Sequence, residues 1–208
     1  MALSANLSAH LASVMPKLDE KSRMVVAREY ESEGLHKAEA ASLEPAGTWR
    51  SSYRPTSEMA QEFALEDCQI YYGQPCILLA TDNEVEPVPR DGKWRQHDMP
   101  RVRYNGSFDP QQIPGAAPAM RERSDVLTYG SASGPKAAAF HLVAGQGSRL
   151  FISTNAASQR AAEEQALEQC SNDPIQGSRR SPCLLYAVGN QVVLPSRLRE
   201  PASTGANR

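Results

Sequence analysis

Aromatic side chains are scarce in this chain, 6% of 208 residues, and no stretch approaches the roughly 20 consecutive apolar residues of a membrane span. With 40% hydrophobic residues, the composition suits modest cores and argues against one large aromatic-rich core. An excess of one charge is also missing, because 22 Lys and Arg against 24 Asp and Glu leave a net charge of −2. Nothing global therefore draws the chain to nucleic acid or an anionic membrane, and a polyanion binder would need a local patch. A GxSxG elbow, a Walker loop, a GxGxxG after a strand, an EF-hand loop and an HExxH pair are all absent. The run from Gly130 to Gly134 places Ala132 where a nucleophile-elbow serine would stand, and reads as a turn. No cofactor or metal is expected.

The first residues are not expected to form a secretory signal, because Ser4, Asn6, Ser8 and His10 interrupt any apolar core. Leu3, Leu7, Leu11 and Val14 fall instead on one stripe of a short amphipathic helix that Pro16 ends. A second helix is expected over 17–29, with Leu18, Met24 and Val25 as its apolar contacts.

What the chain does contain is a repeat of itself, at an offset near one hundred residues that widens along the sequence. Tyr30 and Lys37 match Tyr129 and Lys136. Ala60, Ala64, Leu65 and Cys68 match Ala162, Ala166, Leu167 and Cys170, and Pro75-Cys76 matches Pro182-Cys183. Each copy reads as an Ala-rich strand (Ala38 to Leu43, Ala137 to Val143), a glycine turn, and a second strand (Thr48 to Tyr53, Arg149 to Ser153). A helix follows, N-capped at Thr56 or Ser57 in the first copy and at Asn155 in the second. Then come a buried strand (Cys76 to Ala80, Cys183 to Val188), a turn at Asp82-Asn83 or Gly189-Asn190, and a last short strand.

The expected fold is therefore α+β, two tandem ββαβ(β) repeats preceded by an N-terminal helix, each an antiparallel sheet with one packed helix. The segments are 1–29 (helical), 30–87 (first repeat), 88–123 (a linking strap), 124–195 (second repeat) and 196–208 (a disordered tail).

The four cysteines fall one pair per copy, each joining the end of the helix to the start of the following strand. Disulfides Cys68–Cys76 and Cys170–Cys183 would each clamp a loop and remove about 2–3 kcal/mol of unfolded-state freedom. Buried free thiols are the alternative, and the spacings resemble no zinc knuckle. Bridges would place the protein outside the reducing cytosol, in the periplasm or beyond, whereas the lack of a signal favours the cytoplasm.

Candidate binding residues are of two kinds. Lys37 and Lys136, at matching strand entries, read either as an anion contact present twice or as edge lysines with solvated ammonium groups. The strap carries Arg90, Lys93, Arg95, Arg101 and Arg103 interleaved with Trp94 and Tyr104, a pattern that could grip an acidic partner or single-stranded nucleic acid. The strap could equally be an ordered connection that packs its aromatics, and its prolines favour a stiff, extended path. Trp94, Arg95, Arg101, Arg103 and Tyr104 are its candidate contacts. His10, His36, His97 and His141 form no ligand pattern.

The pattern of His36-Lys37-Ala38, Trp49, Ala64-Leu65, Cys68, Pro75-Cys76 and Asp82-Asn83, continued by Arg101 to Pro110 and then Lys136 to Phe140 and Cys183 to Pro195, resembles an accessory region of GC-rich bacterial proteins. That region, of unknown function, is a tandem pair of small domains with an Ala-rich helix and paired cysteines, appended behind cyclase- and hydrolase-type domains. The first copy departs from it at Leu79 to Asp82, where the second has Tyr186 to Gly189. The resemblance brings no catalytic residues. The function expected is a non-catalytic binding or regulatory module for a protein partner or envelope ligand, with no nucleic acid. Alternatives are a hydrolase-type enzyme with a site between the repeats, where His36, His97 or His141 would be the base, and an inhibitor or immunity-type protein.

Overall fold

The structure is a computed structural model and describes residues 3–99, 102–175 and 181–197. It is α+β and divides into two compact units, Met1–Arg101 and Val102–Arg208. The segment 88–123 is thus shared out between the two units.

In the first unit, α1 (Leu3–Val14) and α2 (Glu20–Ser32) precede β1 (Ala38–Leu43), β2 (Ala46–Ser51), α3 (Ser57–Tyr72), β3 (Cys76–Thr81) and β4 (Glu84–Val85). The strands form an antiparallel sheet in the order β2-β1-β3-β4. Alternation along β1 divides its small side chains between two layers. Ala38 and Ala40 meet Ala60, Ala64 and Cys68 of α3, while Ala41 joins Leu7 and Leu11 of α1 and Ala27 and Tyr30 of α2. Alanines at the β1–α3 contact let helix and sheet approach closely, and Leu65 fills in beside them. The N-terminal helices therefore cover the second face of this sheet, a layer beyond the single packed helix expected for each repeat. Asp19 caps α2 by accepting from the Ser22 N–H, and Thr56 caps α3 by accepting from the Met59 N–H.

In the second unit, a 3₁₀ turn (Pro110–Gln112), α4 (Pro118–Arg121) and α5 (Ser124–Tyr129) precede β5 (Ala137–Val143), β6 (Gly147–Ser153), α6 (Gln159–Ser171), β7 (Leu184–Val188), β8 (Gln191–Val192) and α7 (Leu194–Arg197). The sheet order, β6-β5-β7-β8, has the same form as in the first unit, and all pairings are antiparallel. Both central strands shift register at the matching place, between Glu39 and Ala40 and between Ala138 and Ala139. Ala137 and Ala139 meet Ala162, Ala166 and Cys170 of α6. On the other face Phe108 packs at 4.3 Å from Tyr129 and 5.9 Å from Tyr186, so aromatic rings take the place of two long helices. The 3₁₀ turn and short helices replace the extended path expected from the prolines. The cap of α6 is Ser158, which accepts from the Ala161 N–H. Asn155 instead takes a left-handed φ of 59° in the turn before it.

The cysteines pair as Cys68–Cys76 and Cys170–Cys183, with Cα atoms 6.3 and 6.0 Å apart. Among the described residues no helix is long and apolar enough to cross a membrane.

Candidate functional site

Lys37 and Lys136 do the same work in the two units, and it is internal. They are 3% and 4% exposed. Lys37 Nζ donates to the carbonyls of Tyr30 (2.8 Å), Glu31 (3.1 Å) and Glu33 (2.9 Å). Lys136 Nζ donates to those of Tyr129 (2.7 Å), Gly130 (3.1 Å) and Ala132 (2.7 Å). These carbonyls lie at the C-terminal ends of α2 and α5, where a helix leaves acceptors unpaired and its dipole favours a cation. Each ammonium also lies over a tyrosine ring, 4.9 Å from the centroid in Tyr30 and 5.1 Å in Tyr129. Burial holds both lysine pKa values below their ordinary level. With three carbonyls around each ammonium, neither lysine offers a free donor to an anion, and neither head is solvated. Both sequence readings give way to a buried helix cap.

The strap residues separate in the same way. Trp94 packs on the core of the first unit, edge-on to His10 at 4.8 Å, and Arg95 beside it is exposed. In the second unit Arg103 is exposed, while the Tyr104 hydroxyl donates to the Ser107 carbonyl at 2.6 Å. Arg101 lies outside the described residues. Of the histidines, His97 ties the chain after β4 to β3 by donating its N–H to the Cys76 carbonyl at 2.9 Å.

His36 meets the Ser57 hydroxyl at 3.2 Å, and that hydroxyl donates to Asp82. The serine has one proton and gives it to the carboxylate, so it accepts from the His36 Nδ1–H. His36 and Asp82 both adopt left-handed φ values, 54° and 50°. The Ser57 hydrogen bond, more than any other influence, holds the Asp82 carboxyl below its ordinary pKa. Asp82 also accepts the Lys37 N–H at 3.0 Å, so the cluster closes the junction of β1, α3 and the β3–β4 turn.

A charged cluster that opens onto a concave surface lies in the second unit. β5 and β6 place His141 opposite Arg149. His141 Nε2 lies 2.9 Å from Asp173 Oδ2, and Arg149 Nε donates to the same oxygen at 2.5 Å. Asp173, just beyond α6, accepts the Ile175 N–H at 3.2 Å on its other oxygen and donates its own N–H to the Cys170 carbonyl at 3.1 Å. The Cys170–Cys183 bridge thus stands directly behind it. Burial pushes the Asp173 carboxyl pKa up, but hydrogen bonds from His141, Ile175 and Arg149 outweigh that and hold it below its ordinary value. His141 and Asp173 are each 1% exposed at the side chain, whereas Arg149 is 44% exposed. Arg149 is held by its Nε, and its two terminal nitrogens have no partner among the described residues.

In front of Arg149 runs a groove of about 360 Å³ along the outer edge of β6, with Met120, Arg123, Gln146, Ser148 and Phe151 in its walls and no carboxylate among the described residues that line it. Gly147 makes the groove possible. It has a left-handed φ of 82°, and a Cβ there would strike the Gly115 carbonyl that accepts the Ser148 N–H at 2.9 Å. That contact draws the segment before α4 against the strand edge. Arg123 fixes the far wall, chelating Asp125 and donating to the Leu150 carbonyl at 3.0 Å.

Sequence reasoning singled out His141 but missed Arg149 and Asp173. Their signal was a difference between the copies, because the pair matching His141 and Arg149 in the first unit is Ser42 opposite Gly47. There the space is taken by Tyr72, whose hydroxyl donates to the Thr48 carbonyl at 3.1 Å and would collide with a Cβ at Gly47.

No family model, curated protein or solved structure matches this chain.

Proposed function

We propose that the chain is a non-catalytic binding module that recognises a protein partner or envelope ligand outside the reducing cytosol, through the groove along β6. One observation carries the reading. Arg149 is anchored from behind by a buried carboxylate and open in front onto a concave surface. Building that anchor requires two groups, His141 and Asp173, to be taken out of water, an expense that a purely structural strand edge does not need. Both bridges support an oxidising compartment. A bacterial accessory region would suit such a role. His141, the one histidine at this site, is too deeply buried to serve a substrate directly.

The test is a photo-crosslinking amino acid placed in the native host at Gln146, on the rim of the groove, or at Gln169, exposed on α6. A discrete adduct from Gln146 and none from Gln169 supports the reading. Equal adducts, or none from Gln146, overturn it.

A further inference from the structure

We infer that the groove along β6 receives an oxyanion, the carboxylate or phosphate group of its ligand, on the guanidinium of Arg149. The inference rests on the binding reading above and supplies the chemistry of what is bound.

A guanidinium is a planar fork with two usable edges. Asp173 takes the Nε of Arg149, so the edge formed by the two terminal nitrogens is left over on a side chain that lines the groove. That edge matches two oxygens of a carboxylate or phosphate in a bidentate pair. The arginine is also pre-oriented. Its partner Asp173 is fixed by His141, by the Ile175 N–H and by its place beside the disulfide, so little side-chain freedom remains to be lost on binding. Arg149 and Asp173 cancel in charge, but the carboxylate lies behind and the guanidinium in front, so the pair presents its positive end to the groove.

The rest of the lining suits the remainder of such a ligand. Phe151 and Met120 give apolar wall for the carbon skeleton behind the anion. The first unit serves as an internal contrast. With Gly47 and Ser42 at the matching positions and Tyr72 filling the space, it has the same sheet without the fork.

The experiment follows amide resonances of the isotope-labelled, oxidised full-length chain during titration. The probes are sodium phosphate, acetyl-glycyl-phenylalanine with a free carboxylate, and the same peptide as its C-terminal amide. Saturable shifts centred on Gln146 to Phe151 are expected for an anionic probe and not for the amide. Shifts with the peptide acid alone identify a chain terminus as the source, and shifts with phosphate alone identify a phosphoryl group. Arg149→Gln should weaken binding about tenfold or more. Arg149→Lys keeps a cation beside Asp173 but loses the fork, so it remains informative if the Gln variant fails to fold, and it should weaken the carboxylate probe severalfold. Glu164→Gln, on α6, should bind as the parent does. Equal shifts with the amide, undiminished binding in both Arg149 variants, or no saturable shift in the millimolar range would overturn the inference. A Gln146 crosslink that persists in that case leaves the binding reading standing and removes only the oxyanion.

Discussion

Lys136 Nζ holds the carbonyl oxygen of Tyr129 at 2.7 Å, the same seven-residue reach by which Lys37 Nζ holds Tyr30 at 2.8 Å. In each unit a cation from the start of the central strand closes the end of the preceding helix and rests on the tyrosine ring. Replacing either lysine by Met keeps the apolar stem and deletes the donors, leaving buried carbonyls unpaired. Each variant should lose about 2–3 kcal/mol in urea unfolding, and Arg should not restore it, because a planar fork cannot place three donors on one tight turn.

The two bridges close short loops, with sequence separations of 8 and 13 residues. Chain-entropy arguments give each about 2–3 kcal/mol, so paired Cys→Ser replacements should lower stability by that much in either unit. Intact mass after alkylation checks the pairing directly. Protein from its native host should resist alkylation at all four cysteines until reduced, and then map as Cys68–Cys76 and Cys170–Cys183. Four thiols alkylated without reduction would remove the argument for an oxidising compartment.

Glu39 and Arg50 face each other across β1 and β2, with Arg50 Nε 2.8 Å from the carboxylate. Glu39 is 1% exposed, and burial pushes its pKa up despite the arginine. Arg50 also donates to the Val26 carbonyl and pairs with Glu29 and Glu33 at the end of α2, which couples sheet to helix. Removing the arginine strands a buried charge, so Arg50→Ala should cost about 3–5 kcal/mol. Adding Glu39→Gln to that variant should recover part of the loss, and a double-mutant cycle in urea measures how much.

Much of this architecture is readable in the residues. The Ala-Ala-Cys stripe of α3 and α6 announces a helix lying close on its sheet, and the paired cysteines mark the helix-to-strand joint. What stayed hidden are contacts between residues distant in sequence and unlike in the two copies. Asp173 reaches Arg149 only because β6 lies beside β5 and α6 crosses both. The lysines look like surface residues because composition says nothing about a turn of carbonyls folding over an ammonium. The short helices of the second unit were masked by prolines, although Pro118 stands at the first position of α4, where its missing N–H costs no hydrogen bond.

The His36–Ser57–Asp82 cluster gives stability a pH dependence with a definite sign. The folded-state pKa of Asp82 lies below its unfolded value, chiefly through the Ser57 hydroxyl. Such a group binds fewer protons folded than unfolded, so its contribution is complete above the unfolded carboxylate pKa and disappears as pH falls through the folded one. Ser57→Ala should therefore lower stability at neutral pH by about 1 kcal/mol, the scale of one hydrogen bond to a partly exposed carboxylate. The gap between parent and variant should then close as the solution is acidified past the carboxylate range. Thermal unfolding of both proteins across that range reads the effect, and a gap that stays constant with pH would mean that Ser57 stabilises the helix start without acting on Asp82.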